Sequence, residues 1–322
     1  MHYILREMKN TSGIHHITAI TGDPQKNIDF YEGFLGQKLI KRTVNFDDPR
    51  SYHFYFGDAY GKPGTLLTFF YWQNIPKRSP GVGEVSCISY GIGKEAVKFW
   101  KKRAKEFKVP CAGGTNDFGQ ENLTLADPDG MVIELVVNDE ETTVDWWKEG
   151  SVPEDADLRG FYGATLNVVS SDAMGPVLNA IGYEKKKEAG EYTRFMSTAE
   201  RAHTIDLFEA PDLPQARQGS GSVHHVAFRA ATDEKELEIR SGITELGLNP
   251  THVIDRQYFH SVYFMTPARI LFEIATDAPG FGVDENIDML GERLVLPPQY
   301  EPHRKEIESI LVPVTLPRHG KK

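Results

Sequence analysis

The residues of this chain best suited to chemistry are two histidine pairs and one late glutamate: His15-His16, His224-His225 and Glu273. Two neutral imidazoles and one carboxylate suit a borderline divalent metal, and three such ligands on one face of an octahedron leave the other face open to reactants. Strand alternation selects one histidine from each pair. In Arg269-Ile270-Leu271-Phe272-Glu273-Ile274 the bulky Ile270, Phe272 and Ile274 share a face, so Glu273 points the other way. Val226 and Phe228 likewise form an apolar face, which leaves His225 with Ala227, as His16 lies with Thr18. The same parity turns His15 and His224 away from the metal. They are either groups that reach the ligands around a strand edge or structural histidines.

The elements that must position these residues form a repeat. Four segments share a short strand, a helix of about a dozen residues and three further strands, with a period of roughly 60 to 70 residues. In the first, residues 14–21 alternate as a strand, Asp23-Pro24 starts a helix, Gly36 stops it, and strands are expected near 38–46, 51–57 and 65–72. The second begins near Val85 and carries Val97, Trp100, Ala104 and Phe107 on one helical face. The third runs from about Phe161 to Ala210 with a helix near 172–181, and the fourth from Val223 to Thr276.

Aligning the units by their own landmarks places His16, Cys87, Thr165 and His225 at equivalent first-strand positions. The last-strand position, counted six residues from Pro63, Pro128 and Pro267, holds Phe69, Glu134 and Glu273, and is unassigned in unit three. Units one and four thus hold the whole donor set. Glu134, whose paired positions hold Cys87 and Thr165, reads as a vestigial or hydrogen-bonded carboxylate. His53, His203, His252 and His260 read as structural, although His252 or His260 could line the cup.

The length of 322 residues fits two domains: residues 12–138 (modules one and two) and 160–276 (modules three and four). An acidic linker, 139–159, joins them, and an extension, 277–322, wraps the fold. With 36 basic and 46 acidic residues the net charge is −10, so no basic surplus exists to meet a phosphate backbone or anionic lipid. Nucleic-acid and membrane partners are not expected. No apolar run approaches 18 residues and the first residues carry charge too early for a signal segment, so a cytoplasmic protein is expected. Cys87 and Cys111 match no zinc or thiol-redox spacing.

Four strings carry a family likeness: Gly13-Ile14-His15-His16-Ile17-Thr18, His224-His225-Val226-Ala227-Phe228, Arg256-Gln257-Tyr258-Phe259-His260-Ser261-Val262-Tyr263-Phe264 and Leu271-Phe272-Glu273-Ile274-Ala275-Thr276. They resemble the vicinal-oxygen-chelate (glyoxalase/bleomycin resistance/extradiol dioxygenase) superfamily over about residues 12 to 276. More narrowly they are similar to its hydroquinone-specific ring-cleaving branch, that of 2,6-dichlorohydroquinone dioxygenase. The resemblance implies an α+β fold of four βαβββ modules paired into two cup-shaped mixed-sheet domains. It also implies Fe(II) held by His16, His225 and Glu273, a set that could equally hold Mn(II) or adventitious Zn(II), with O2 as co-substrate.

The implied activity is that of an extradiol-type ring-cleaving dioxygenase, which opens a small hydroquinone-type aromatic diol and incorporates both atoms of O2. Arg256 would stabilise developing phenolate charge, and Tyr263, seven residues on, would hydrogen-bond substrate or relay a proton. His224 and His15 complete the implied catalytic set. Assembly into a homo-oligomer is left open. Two other functions fit the same fold: a glyoxalase-type metal-dependent isomerase or lyase, and a non-catalytic antibiotic-binding protein. The isomerase site needs two histidines and two glutamates, and Phe69 stands where the second carboxylate would be. A passive binding cup would not require an open-sided metal.

Overall fold

The computed structural model describes residues 13–139 and 144–317; Glu140 and Glu141 of the acidic linker, and the charged N-terminal residues, lie outside that range. All four expected modules are present. Module one comprises β1 (Ile14–Thr21), α1 (Pro24–Ile28), β2 (Lys38–Val44), β3 (Tyr52–Gly57) and β4 (Leu66–Tyr71). Asp23 caps α1 by accepting from the Lys26 N–H at 3.1 Å, with Pro24 in the first turn where its missing N–H costs nothing. The helix widens into a π-turn over Asp29–Phe34, and Gly36, at φ +74°, ends it.

Module two comprises β5 (Glu84–Ile92), α2 (Ala96–Phe107), β6 (Cys111–Thr115), β7 (Glu121–Ala126) and β8 (Val132–Val137). On α2, Val97, Trp100 and Ala104 are buried as their spacing requires, whereas Phe107 remains half exposed beside Phe34. Module three comprises β9 (Phe161–Val168), α3 (Gly175–Ala180), β10 (Glu184–Ala189), β11 (Tyr192–Met196) and β12 (Thr204–Glu209). Module four comprises β13 (Val223–Ala230), α4 (Asp233–Glu245), β14 (Ile254–Asp255), β15 (Phe259–Met265) and β16 (Leu271–Pro279).

Modules one and two do not share a sheet, and neither do modules three and four. β1 runs antiparallel to β13 and β5 antiparallel to β9, so one eight-stranded mixed sheet unites modules one and four and the other unites modules two and three. The expected units 12–138 and 160–276 are each divided between the two sheets. A module's first strand needs a partner beyond its own three strands, and the repeat period reveals the module without revealing that partner.

The extension packs mainly on module one. Leu290, Leu296, Ile307, Leu311 and Leu316 are buried, the Val295 N–H bonds the Arg42 carbonyl at 2.9 Å, and the Thr315 N–H bonds Gln25 Oε1 at 2.8 Å. Each such apolar side chain taken out of water contributes about 1.5–3 kcal/mol before chain entropy is counted. No helix among the described residues is long and apolar enough to cross a membrane.

Candidate metal centre

The join between modules one and four creates the centre. β1 supplies His16, the antiparallel β13 supplies His225, and β16, parallel to β13, supplies Glu273 opposite Ala227. Their donor atoms converge. His225 Nε2 lies 2.9 Å from Glu273 Oε2, and His16 Nε2 lies 3.4 Å both from that oxygen and from His225 Nε2. Adjacent ligands on an octahedral ion with bonds of about 2.1 Å stand about 3.0 Å apart, so the three atoms fit one triangular face.

Glu273 Oε1 is taken by the Ser261 hydroxyl, whereas Oε2 makes no well-formed hydrogen bond despite complete burial. A buried carboxylate oxygen so aimed is fitted to a cation. Burial would raise this carboxyl, but the two imidazoles beside it hold it well below the ordinary range. Burial lowers His225, against the opposing pull of Glu273. Among the described residues this is the only cluster of three or more His, Cys, Asp or Glu donors close enough to share an ion.

The two histidine ligands border a cavity of about 450 Å³, whose walls are largely aromatic: Phe46, Tyr55, Phe70, Trp72 and Phe259. Arg256 and Tyr263 both face it, with Arg256 Nε donating to Tyr263 Oη at 3.3 Å and the tyrosine ring centroid 5.7 Å from that of His225. Burial, then the charge of Glu273, raises the Tyr263 hydroxyl, so it is a hydrogen-bond donor at neutral pH. Asp47 meets Arg256 across the cavity at 3.5 Å.

Parity fails at His15 and His224, and the cause is visible. The β1–β13 ladder steps from Ile14↔Phe228 to His16↔Ala227 and from Thr18↔His225 to Ala19↔Val223, which makes His15 and His224 the extra residues of two β-bulges. Neither points away. His224 lines the cavity, edge-on to Phe70 and Trp72, and its Nδ1 lies 2.8 Å from His225 Nδ1. His15 is buried against Phe259, with its Nδ1 3.0 Å from His16 Nδ1.

His53, read as structural, also lines the cavity, bonded to Thr68 Oγ1 and to Tyr55 Oη at 3.0 Å each. Alternation in Tyr52-His53-Phe54-Tyr55-Phe56 carried that signal, since Phe54 and Phe56 take the core face. His260 instead bonds Asp233 at the outer helix, and His252 is exposed.

The alignment at Phe69 is corrected as well. Thr68 pairs with Thr18 as Glu273 pairs with Ala227, while Phe69 packs against Tyr31 and Phe56 in the core. The turn before β4 reaches its left-handed residue at Gly64, one after Pro63, whereas Gly130 and Arg269 come two after their prolines. That missing residue shifts the count by one and exchanges the faces.

In the second sheet, β12 places Asp206 opposite Thr165 and opposite Arg194, as β16 places Glu273 opposite Ala227 and Tyr263. Unit three's last-strand residue is therefore Asp206, and the equivalent of His16 is Gly163 rather than Thr165. Arg194 binds Asp206 through two bonds of 2.8 and 2.7 Å, and Glu134 accepts from Asn122 at 2.9 Å and from Ser89 at 3.3 Å.

Residues 13–135 and 133–281 each match the model of the Glyoxalase/Bleomycin resistance protein/Dioxygenase superfamily. The chain belongs to that superfamily. It is 45% identical to MhqO of Bacillus subtilis, by name a ring-cleaving dioxygenase, over 95% of this chain and 97% of that protein. It is 31% identical to the chlorohydroquinone/hydroquinone 1,2-dioxygenase of Sphingobium indicum, over 93% of this chain and 95% of that one. A crystal structure of a Bacillus subtilis protein described as a dioxygenase superposes with a TM-score of 0.91 at 44% identity, covering 96% of this chain and 99% of that one. Glyoxalase I of Zea mays shares the fold at a TM-score of 0.62 and 16% identity, over 82% and 92% of the two chains.

Proposed function

We propose that this superfamily member is an Fe(II)-dependent dioxygenase that opens a hydroquinone-type diol with O2, cleaving the ring beside a hydroxylated carbon. The observation that carries the reading is the three-ligand, open-sided donor set bordering an aromatic cavity that also presents Arg256 and Tyr263. The names borne by the relatives support ring cleavage as the reaction and a hydroquinone as the substrate class. When bound, ferrous iron supplies the one-electron chemistry through which triplet O2 can react with a closed-shell ring.

The chain's own residues do the remaining work. Phe46, Phe259 and the Phe70–Trp72 pair sandwich a planar ring and exclude water from it. Arg256 places a fixed positive charge where the diol oxygen becomes phenolate, and Tyr263 donates a hydrogen bond in the same region. Nε2 of both His16 and His225 is turned toward Glu273, so with an ion held there the Nδ1–H of His16 would donate to His15 and that of His225 to His224. Each imidazole would thereby be fixed in one tautomer and orientation.

Thr68, at the corner where an isomerase would need its second carboxylate, favours oxygen chemistry over isomerisation. The deciding experiment loads the purified protein anaerobically with Fe(II) and follows oxygen uptake on adding hydroquinone or a substituted hydroquinone. Stoichiometric uptake is expected. Isomerisation of a hemithioacetal with Ni(II) or Zn(II), without oxygen uptake, would replace this reading with the glyoxalase one.

A further inference from the structure

We infer that Asp284, in the C-terminal extension, is a positioning residue that holds Arg256 at the cavity wall. The inference rests on the role proposed above for Arg256. Arg256 lies in the tight connection from β14 to β15, where its N–H bonds the Phe259 carbonyl at 3.0 Å and its own carbonyl accepts the Tyr258 N–H at 2.8 Å. Gln257, the next residue, sits in the left-handed region at φ +68° without being glycine. Such a backbone persists only where the surroundings over-determine it.

The surroundings here converge on one carboxylate. Asp284 Oδ2 accepts from Gln257 Nε2 at 2.6 Å and from Tyr258 Oη at 2.9 Å, and Oδ1 accepts from Lys41 Nζ at 2.6 Å. Lys41 comes from β2, is fully buried, and also binds Glu285. The Tyr258 ring is packed against Phe281 of the extension at 4.9 Å and near Tyr55 at 6.0 Å. Asp284 thus ties both residues that follow Arg256 to module one, and neither it nor its three partners line the cavity. The metal ligands sit on β1, β13 and β16, none of which contains this turn.

Asp284→Asn keeps the volume but removes the charge that Lys41 pairs with and leaves one acceptor oxygen where there were two, so it cannot accept from Lys41, Gln257 and Tyr258 together and its hold on the turn is weakened. The expected result is a loss of about 10- to 100-fold in kcat/KM for the diol, the scale of a displacement of about 1 Å in a positioning group. Iron stoichiometry should stay at the wild-type value. In an Arg256→Ala background, Asp284→Asn should cost nothing further, because the residue it positions is gone. A crystal structure of Asp284→Asn should show the Arg256 guanidinium displaced with the three ligands in place.

Equal losses in both backgrounds, or Arg256 unmoved, would overturn the inference. Should Asp284→Asn fail to fold, Gln257→Ala removes one donor while leaving Lys41 paired, and the same background test applies. Absence of oxygen uptake by the wild type would defeat the ring-cleavage reading alone, since the position of Arg256 in the variant crystal still decides this one.

Discussion

Glutamate placed at residue 68 and at residue 69 should give opposite results, because the two side chains lie on opposite faces of β4. Phe69 is fully buried, with its ring centroid 4.6 Å from Tyr31 and 6.0 Å from Phe56. Losing that packing costs roughly 3–5 kcal/mol, and forcing a carboxyl into the vacated space adds several more. The sum reaches the whole stability of an ordinary domain, about 5–15 kcal/mol, so Phe69→Glu should yield unfolded or aggregated protein. Thr68→Glu instead forfeits the hydroxyl's bonds to Thr18 and His53, at about 1 kcal/mol each. It also overpacks its site by roughly 1–3 kcal/mol, and since Thr68 is as fully buried as Phe69 the new carboxylate avoids the same desolvation cost only by ligating a divalent ion, so the variant should fold in the metal-loaded form. Its carboxylate stands at the corner opposite Thr18 that Glu273 occupies opposite Ala227. Divalent-metal affinity should rise by roughly tenfold, while oxygen uptake falls because the open face is filled. Thermal unfolding, metal titration and oxygen electrode traces on both variants check this. A folded Phe69→Glu that binds metal more tightly, beside an unfolded Thr68→Glu, would show that the register argument is wrong.

His225→Ala should lose bound iron and turnover together, as metal analysis and oxygen uptake would show, whereas Glu134→Ala, whose carboxylate is held by Asn122 and Ser89, should keep both. Glu236, on the buried face of α4, has neither carboxylate oxygen hydrogen-bonded, and burial pushes it up from 4.5 to about 7. Because the folded-state value is the higher one, the stabilisation is complete below pH 4.5 and is lost as pH rises through 7. The loss amounts to about 3 kcal/mol. Glu236→Gln should therefore be more stable than wild type by roughly 2–3 kcal/mol at pH 8 and no more stable at pH 4, measured by urea unfolding at both values. An equal gain at both pH values would mean that ionisation is not the cause.

The parts of this molecule legible in its sequence are those governed by a fixed period. Alternation along Ile270-Leu271-Phe272-Glu273-Ile274 put the carboxylate opposite the core because β16 is regular through that stretch. The modules were countable because each repeats one strand–helix–strand order. What stayed hidden depends on single-residue irregularities that a period averages away. The bulges at His15 and His224 turn consecutive histidines to one side, so that one of each pair can ligate while the other braces it; a straight strand could not offer both. The shortened turn at Gly64 moved a threonine, not a phenylalanine, to the fourth corner. Partner choice between modules was equally invisible, since β1 could have met β5 as well as β13 on hydrophobic grounds. These deviations cluster around the candidate centre. A strictly periodic sheet would present one donor per strand at fixed spacing, whereas an open-faced metal needs its donors drawn together and its imidazoles steadied from behind. The irregularities at His15 and His224 are placed to supply that steadying, and the one at Gly64 sets the small, polar Thr68 rather than the bulky Phe69 at the fourth corner.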